Sequence, residues 1–329
     1  MNNSRQLNSV SASRWLAVLR WFDSSLAQPV TPHGERRIDW LRAVPFIVLH
    51  VAVLGVFWTG ASAIAVSVAI ALYALRMFAI TGFYHRYFSH RAFKTSRATQ
   101  FVFAVLGASA VQRGPLWWAG HHRQHHARSD QPRDVHSPRQ QGFWWSHHGW
   151  FLSQANFAIP DERIRDFARY PELRFLDRFD ALVPLLLMAA LYLLGEVLAF
   201  GAPEWGTNGP QMVMWGFVIS TVVLYHITFT INSLAHRVGR RTYSTRDDSR
   251  NNWWLALLTF GEGWHNNHHY YPGSARQGFR WWQIDLTYYL LRLLAATGLI
   301  WDLRPVPQRI LREAGTTPAG KQPTRESTA

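Results

Sequence analysis

Three groups of histidines dominate the chain: His85-Arg86-Tyr87-Phe88-Ser89-His90, His122-Arg123-Gln124-His125-His126 and His265-Asn266-Asn267-His268-His269. Neutral imidazole is the commonest nitrogen ligand of transition metals. These groups hold more imidazoles than the roughly four to six positions a single ion offers. The sequence therefore points to two metal ions in a nitrogen shell. On a helix, His122, His125 and His126 fall at i, i+3 and i+4 and share one face. His265, His268 and His269 repeat that spacing. Adjacent residues such as His125 and His126 diverge by about 100°, so they can reach different ions. The chain has no cysteine, which excludes disulfides, iron–sulfur clusters and thiolate sites. Nitrogen ligands without thiolate suit iron, zinc or copper. Two ions with open positions suggest oxygen or hydrolytic chemistry.

A solitary histidine is ordinarily a surface or core residue. That reading covers His33, His50, His136 and His226, and also His147 and His148 in the segment Trp144-Trp145-Ser146-His147-His148-Gly149-Trp150.

The elements that position these groups are apolar and long. The 329 residues have a mean hydropathy of −0.12, but charge is strongly segregated. No Asp, Glu, Lys or Arg occurs from Ala43 to Leu75, and Thr59-Gly60-Ala61-Ser62 breaks the run. A membrane-crossing helix needs about 20 apolar residues, so two spans are expected at Trp40–Trp58 and Ser62–Phe83. From Ala181 to Ile231 there is no Arg or Lys, and the acids are Glu196 and Glu204. Two more spans are expected there, Ala181–Phe200 and Gln211–Ile231, joined by a loop from Gly201 to Pro210. His85 then follows the second span, and His236, in Asn232-Ser233-Leu234-Ala235-His236, follows the fourth. All the histidine groups fall on one side of the bilayer, and an active site there suggests a lipid substrate.

The net charge of +14 is almost all arginine; Lys94 and Lys321 are the only lysines. A basic chain can bind nucleic acid, but arginine also concentrates in the cytoplasmic parts of membrane proteins. The four spans favour the second reading. The acidic loop should face away from the cytoplasm, and both termini and the middle section towards it. Ser13–Ser24 reads as an amphipathic helix on the membrane surface rather than a signal peptide. Phe101–Val111 is apolar but short. A crossing there would separate the first two histidine groups, so an interfacial or buried cap helix is expected. The expected fold is an all-α integral membrane protein: four transmembrane helices and a helical cytosolic cap that holds a histidine-ligated two-metal site. The chain would divide into an N-terminal segment (1–39), a transmembrane hairpin (40–83), a first cap segment (84–180), a second hairpin (181–231), a second cap segment (232–313) and a disordered polar tail (314–329).

The patterns HxxxxH, HxxHH and HxxHH resemble the three boxes of membrane fatty-acid desaturases. Gly261-Glu262-Gly263-Trp264, Asn232–His236, Gly142–His147 and Gly149-Trp150 resemble the Δ9 acyl-CoA (stearoyl-CoA type) branch and its bacterial relatives. The resemblance covers roughly Ile38 to Arg304. It implies a di-iron centre that uses O₂ as co-substrate. His85, His90, His122, His126 and His268 would bind one iron. His125, His236, His265 and His269 would bind the other, with Asn232 reaching it through a water. Trp118 and Thr228 match positions lining a bent acyl tunnel. His121 precedes the second box and is not a ligand in this scheme. Gly120-His121 stand where animal acyl-CoA desaturases carry an Arg-Asp pair that helps hold CoA, so the acyl carrier is open between CoA and lipid. The expected reaction is insertion of a cis double bond, at Δ9, into a saturated acyl chain. Electrons are expected from an external ferredoxin or a cytochrome b5-like protein with its reductase. The location implied is the inner (cytoplasmic) membrane. The rival readings are a di-iron alkyl or lipid hydroxylase and, further off, a histidine-rich metal transporter.

Overall fold

The computed structural model describes residues 18–26 and 37–313. The expectation for the tail from Ala314 lies outside the described residues, as do residues 13–17 of that for Ser13–Ser24. From residue 18 the chain lies against the membrane-domain base: the Trp21 indole donates to the Leu41 carbonyl at 2.9 Å.

Among the described residues, four helices are long and apolar enough to cross a membrane. They are α1 (Trp40–Thr59), α2 (Ala63–Ser89), α7 (Leu182–Gly201) and α8 (Gly209–Ser233). Large apolar side chains such as Phe57, Leu193 and Phe200 stand exposed on them. That pattern suits lipid and not water as the surrounding solvent. Ser62 caps α2 by accepting from the Ala65 N–H at 3.1 Å, and Asn208 does the same for Gln211 at 3.0 Å. The turns of the two hairpins meet: Thr207 Oγ1 donates to Ser62 Oγ at 2.7 Å, and the Trp215 indole to the Gly60 carbonyl at 2.9 Å. Hence the opposite ends of all four spans gather beneath the cap.

The second span continues past the expected end at Phe83. Apart from Phe88, Tyr84–Ser89 carry side chains with polar groups, which end the apolar run, yet backbone bonding persists in the wider π geometry from Ala79 to Ser89. Every residue of that stretch is buried. His85 therefore sits inside the helix, and His90 ends it.

The cap is helical: α3 (Arg97–Ala108), α4 (Pro115–Arg128), α5 (Asp161–Ala168), α6 (Pro171–Arg178), α9 (Trp253–Leu258), α10 (His265–Tyr270) and α11 (Leu286–Ala296). The 12 residues of α3 extend about 18 Å, short of the ~30 Å apolar core of a bilayer. Helix α3 packs on α2 instead. The Phe83 and Phe103 rings stack at 3.7 Å, and the Tyr84 hydroxyl donates to the Ala104 carbonyl at 3.1 Å. A short antiparallel pair, β1 (Lys94–Thr95) with β2 (Ile300–Trp301), ties the beginning of the cap to its end.

Candidate metal centre

The second histidine group rides on α4, whose start is set from afar. Asp177 accepts the N–H groups of Leu116 and Trp117, both at 2.8 Å. These are donors that a helix N-terminus leaves unpaired. Gly114 precedes them because a Cβ there would lie 2.4 Å from the Asp177 carboxyl. The third group forms the short helix α10, entered through Gly261 at φ +122°, a conformation that favours glycine. The two asparagines between its histidines are anchors. Asn266 Oδ1 accepts from the N–H groups of Thr242 and Tyr243, both at 2.7 Å. Asn267 donates to the Gln277 carbonyl at 2.9 Å and to Gln283 at 3.0 Å.

The first group is held by Arg86. Its guanidinium is buried and pairs with Asp285 at 2.9 and 3.1 Å, with Glu262 at 3.1 Å and with the Ala275 carbonyl at 2.8 Å. Glu262 also accepts from Gln277 at 2.9 Å and from His85 Nδ1.

These supports bring the nine expected histidines together in two sets. His85, His90, His122, His126 and His268 offer nitrogens all within 4.8 Å of one another, as do His125, His236, His265 and His269. In the first set, His268 Nε2 lies 3.0 Å from His85 Nε2 and 2.9 Å from His126 Nε2, and His90 and His122 face each other at 2.9 Å. In the second, His236 and His265 oppose their Nε2 atoms at 3.0 Å, and the buried His269 Nε2 has no hydrogen-bond partner.

The outer nitrogens explain this convergence. His125 Nδ1 donates to Asp134 at 2.9 Å, His236 Nδ1 to Asp130 at 2.8 Å and His269 Nδ1 to Asp247 at 2.7 Å. A neutral imidazole whose Nδ1 carries the proton presents a lone pair at Nε2. Inward lone pairs repel one another unless a cation lies between them. Carboxylate-oriented imidazoles are the usual surroundings of a bound metal. The residues thus fit a pair of metal ions. A further grouping of His125, Asp134 and His136 is support for the second set, because Asp134 already takes His125 Nδ1.

The electrostatics agree. Burial holds His90, His122, His126, His265 and His268 well below the ordinary histidine value, and neighbouring imidazoles add to the effect. Burial also lowers His269 to about 4, against the pull of Asp247. Burial opposes ionisation of Asp130 and Asp247, but bonds and charge from His236 and His269 overcome it and hold both carboxyls below their usual range. These imidazoles are neutral and backed by charged carboxylates.

A cavity of about 570 Å³ runs past the histidines, lined by His85, His122 and His265 and by apolar residues such as Met77, Ile80 and Phe217. Trp118, Thr228 and Asn232 line it as well. Gln112, which the sequence did not single out, links two of them. It donates to Thr228 Oγ1 at 2.8 Å and accepts from the Trp118 indole at 3.4 Å. His121 turns away and is hydrogen-bonded to the Ala158 carbonyl at 3.1 Å, while Gly120 lies against Pro160.

The sequence did not reveal Asp130, Asp134, Asp247 or the bridging role of Glu262. Asp130 and Asp134 follow the second box closely, and Glu262 precedes the third; Asp247 carries no positional signal.

Residues 61–303 match the model of the family described as fatty acid desaturase. The chain belongs to that family, as an oxidoreductase acting on acyl chains. It is 37% identical over 272 residues to the sn-1 stearoyl-lipid 9-desaturase of Anabaena variabilis, covering 82% of this chain and 94% of that one. It is 41% identical over 244 residues to the chloroplastic palmitoyl-monogalactosyldiacylglycerol delta-7 desaturase of Arabidopsis thaliana. That match covers 73% of this chain but only 62% of the relative's length. The acyl-CoA C20 Delta5-desaturase of Anemone leveillei is 39% identical over 248 residues, 74% of each chain.

Proposed function

We propose that the protein is an O₂-dependent desaturase that places a cis double bond at Δ9 of a saturated acyl chain carried on CoA or lipid. The observation that carries this reading is the pair of converging imidazole sets beside a largely apolar cavity. Two irons are the metals proposed. His85, His90, His122, His126 and His268 would hold one. His125, His236, His265 and His269 would hold the other, with Asn232 reaching it through a water. Bound irons supply the O₂-driven removal of two hydrogens from neighbouring methylenes. The chain itself binds, orients and keeps water out. Asp130, Asp134, Asp247 and Glu262 fix the imidazoles that face the metals. Trp118, Gln112 and Thr228 shape the cavity where one carbon–carbon bond must rest.

The names of the relatives span lipid and CoA carriers and positions 5, 7 and 9. The stearoyl-lipid 9-desaturase, matched over nearly its full length, supports Δ9 and a lipid carrier. His121 and Gly120, turned into the cap, offer no charge to a CoA group. Electrons come from an acidic ferredoxin or cytochrome b5-like partner, attracted by the basic cap. The cap faces the cytoplasm from the inner membrane.

The test is expression in a desaturase-deficient host with fatty-acid profiling. A new Δ9 cis product, abolished by His268→Ala, is expected. A product that gains one oxygen instead of losing two hydrogens would transfer the protein to the hydroxylases.

A further inference from the structure

Away from the metal sets and their supports stand His50, His147, His148 and His226, and three of these form a chain across the bilayer-facing side of the bundle. His50 lies on α1, His226 on α8 and His147 in the cap turn Trp145–Gly149. His50 Nδ1 is 2.7 Å from the Phe46 carbonyl, His50 Nε2 is 3.1 Å from His226 Nε2, and His226 Nδ1 is 3.1 Å from His147 Nε2. His147 Nδ1 then lies 2.9 Å from Ser233 Oγ.

With all three rings neutral, this chain can run in one direction only. A carbonyl only accepts, so His50 donates from Nδ1 and accepts at Nε2. His226 must then donate from Nε2 and accept at Nδ1, and a neutral His147 donates from Nε2 and accepts from the Ser233 hydroxyl, whose single proton is shared with the Phe229 carbonyl at 3.1 Å. Each imidazole gives one hydrogen bond and takes one, which is the full capacity of the neutral ring. No charge is needed in the membrane, where a charge is costly and an unpaired polar group is too.

The chain grips α8 at two points. His226 and Ser233 are seven residues apart and share one face of the helix, at i and i+7. A different face, about 130° round the helix, carries Thr228 and Asn232, at i and i+4, and both line the cavity. Thr228 is bonded to Gln112 at 2.8 Å, and Ser146, next to His147, donates to the Asn232 carbonyl at 2.8 Å. Turning α8 about its axis would draw Thr228 off Gln112 and move Asn232 relative to the metal sets. The chain opposes that turn by tying α8 to α1 and to the cap together.

We propose that His50, His147 and His226 are positioning residues that lock the rotational setting of the fourth span and thereby fix which carbon–carbon bond is desaturated. This rests on the desaturase reading of the same cavity.

The test is double-bond position in the products of His147→Phe, His226→Phe and His50→Phe, each purified with its metal content measured. Wild type gives one isomer. The variants, with metal content unchanged, yield a neighbouring isomer at about a tenth of product, the scale on which losing one buried hydrogen bond shifts an equilibrium. His226→Gln, whose amide reaches the place of Nε2 and keeps a donor for His50, moves the product back towards the single isomer. Should His147→Phe or His226→Phe fail to accumulate, His50→Phe, which cuts the last link alone, and His147→Gln decide by the same readout. Metal-loaded, active variants that still give the wild-type isomer alone would overturn the proposal. A wild type that yields no unsaturated product would instead refute the desaturase reading.

Discussion

The two imidazole sets are backed unequally. Behind the first stands one carboxylate, Glu262, whose charge is shared with the buried Arg86. Behind the second stand three, Asp130, Asp134 and Asp247, each on its own imidazole. Serine and backbone donors steady these aspartates: Ser137 bonds Asp130 and Ser249 bonds Asp247, both at 2.5 Å, and the His136 N–H reaches Asp134 at 3.2 Å. The second set thus faces more uncompensated negative charge. Two sites with the same ligand type should hold a cation with different strength, and the difference lies one bond behind the ligands.

The largest effect should come from the ion pair under the first set. Asp285→Ala leaves the Arg86 guanidinium short of its two-point partner in a dry interior. Loss of about 3–5 kcal/mol is expected, read by chemical unfolding. If stability barely changes, the first set does not rest on that pair. Next, Asp247→Asn should weaken metal binding at the second set alone by about 10–100-fold, read as loss of one metal equivalent by elemental analysis. Equal loss from both sets would erase the contrast between them.

Acid should act more gradually. Burial depresses His121 and His269 to about 4 and His136 to about 3, from an ordinary 6.5. Between those values the unfolded chain holds more protons than the folded one, so stability is full above about pH 6.5 and falls as pH drops towards 4. Bound metal steepens the fall, because protons compete for the same nitrogens. A melting temperature that rises on acidification would contradict this. The subtlest effect is order of release. Under a limiting chelator the first set should empty before the second, as anomalous scattering at each site would show.

The spans were legible because a bilayer demands a length of apolar sequence that few other structures require. Their ends were less so: at Tyr84–Ser89 polar side chains hide a helix that continues. The nine histidines were legible because their spacing repeats, or because of the resemblance in the case of His236. The aspartates behind them were not. A carboxylate such as Asp247 reaches His269 across a fold that no local pattern announces. The mutual contacts of His50, His147 and His226 were hidden for a related reason. No spacing pattern marks them in the chain, and only the packing of α1, α8 and the cap turn makes them neighbours. Gln112 belongs to none of the histidine boxes, and only the fold sets it between Trp118 and Thr228.

The meeting of the two hairpin turns has a consequence for supply. Thr207 touches Ser62, and Trp215 touches Gly60, so the far side of the bundle is closed by its own short loops. An acyl chain anchored in the distant leaflet has its headgroup at that sealed end. With the lipid carrier proposed above, the cavity would be fed from the leaflet beneath the cap, and unsaturation would reach the other half of the bilayer by flip-flop.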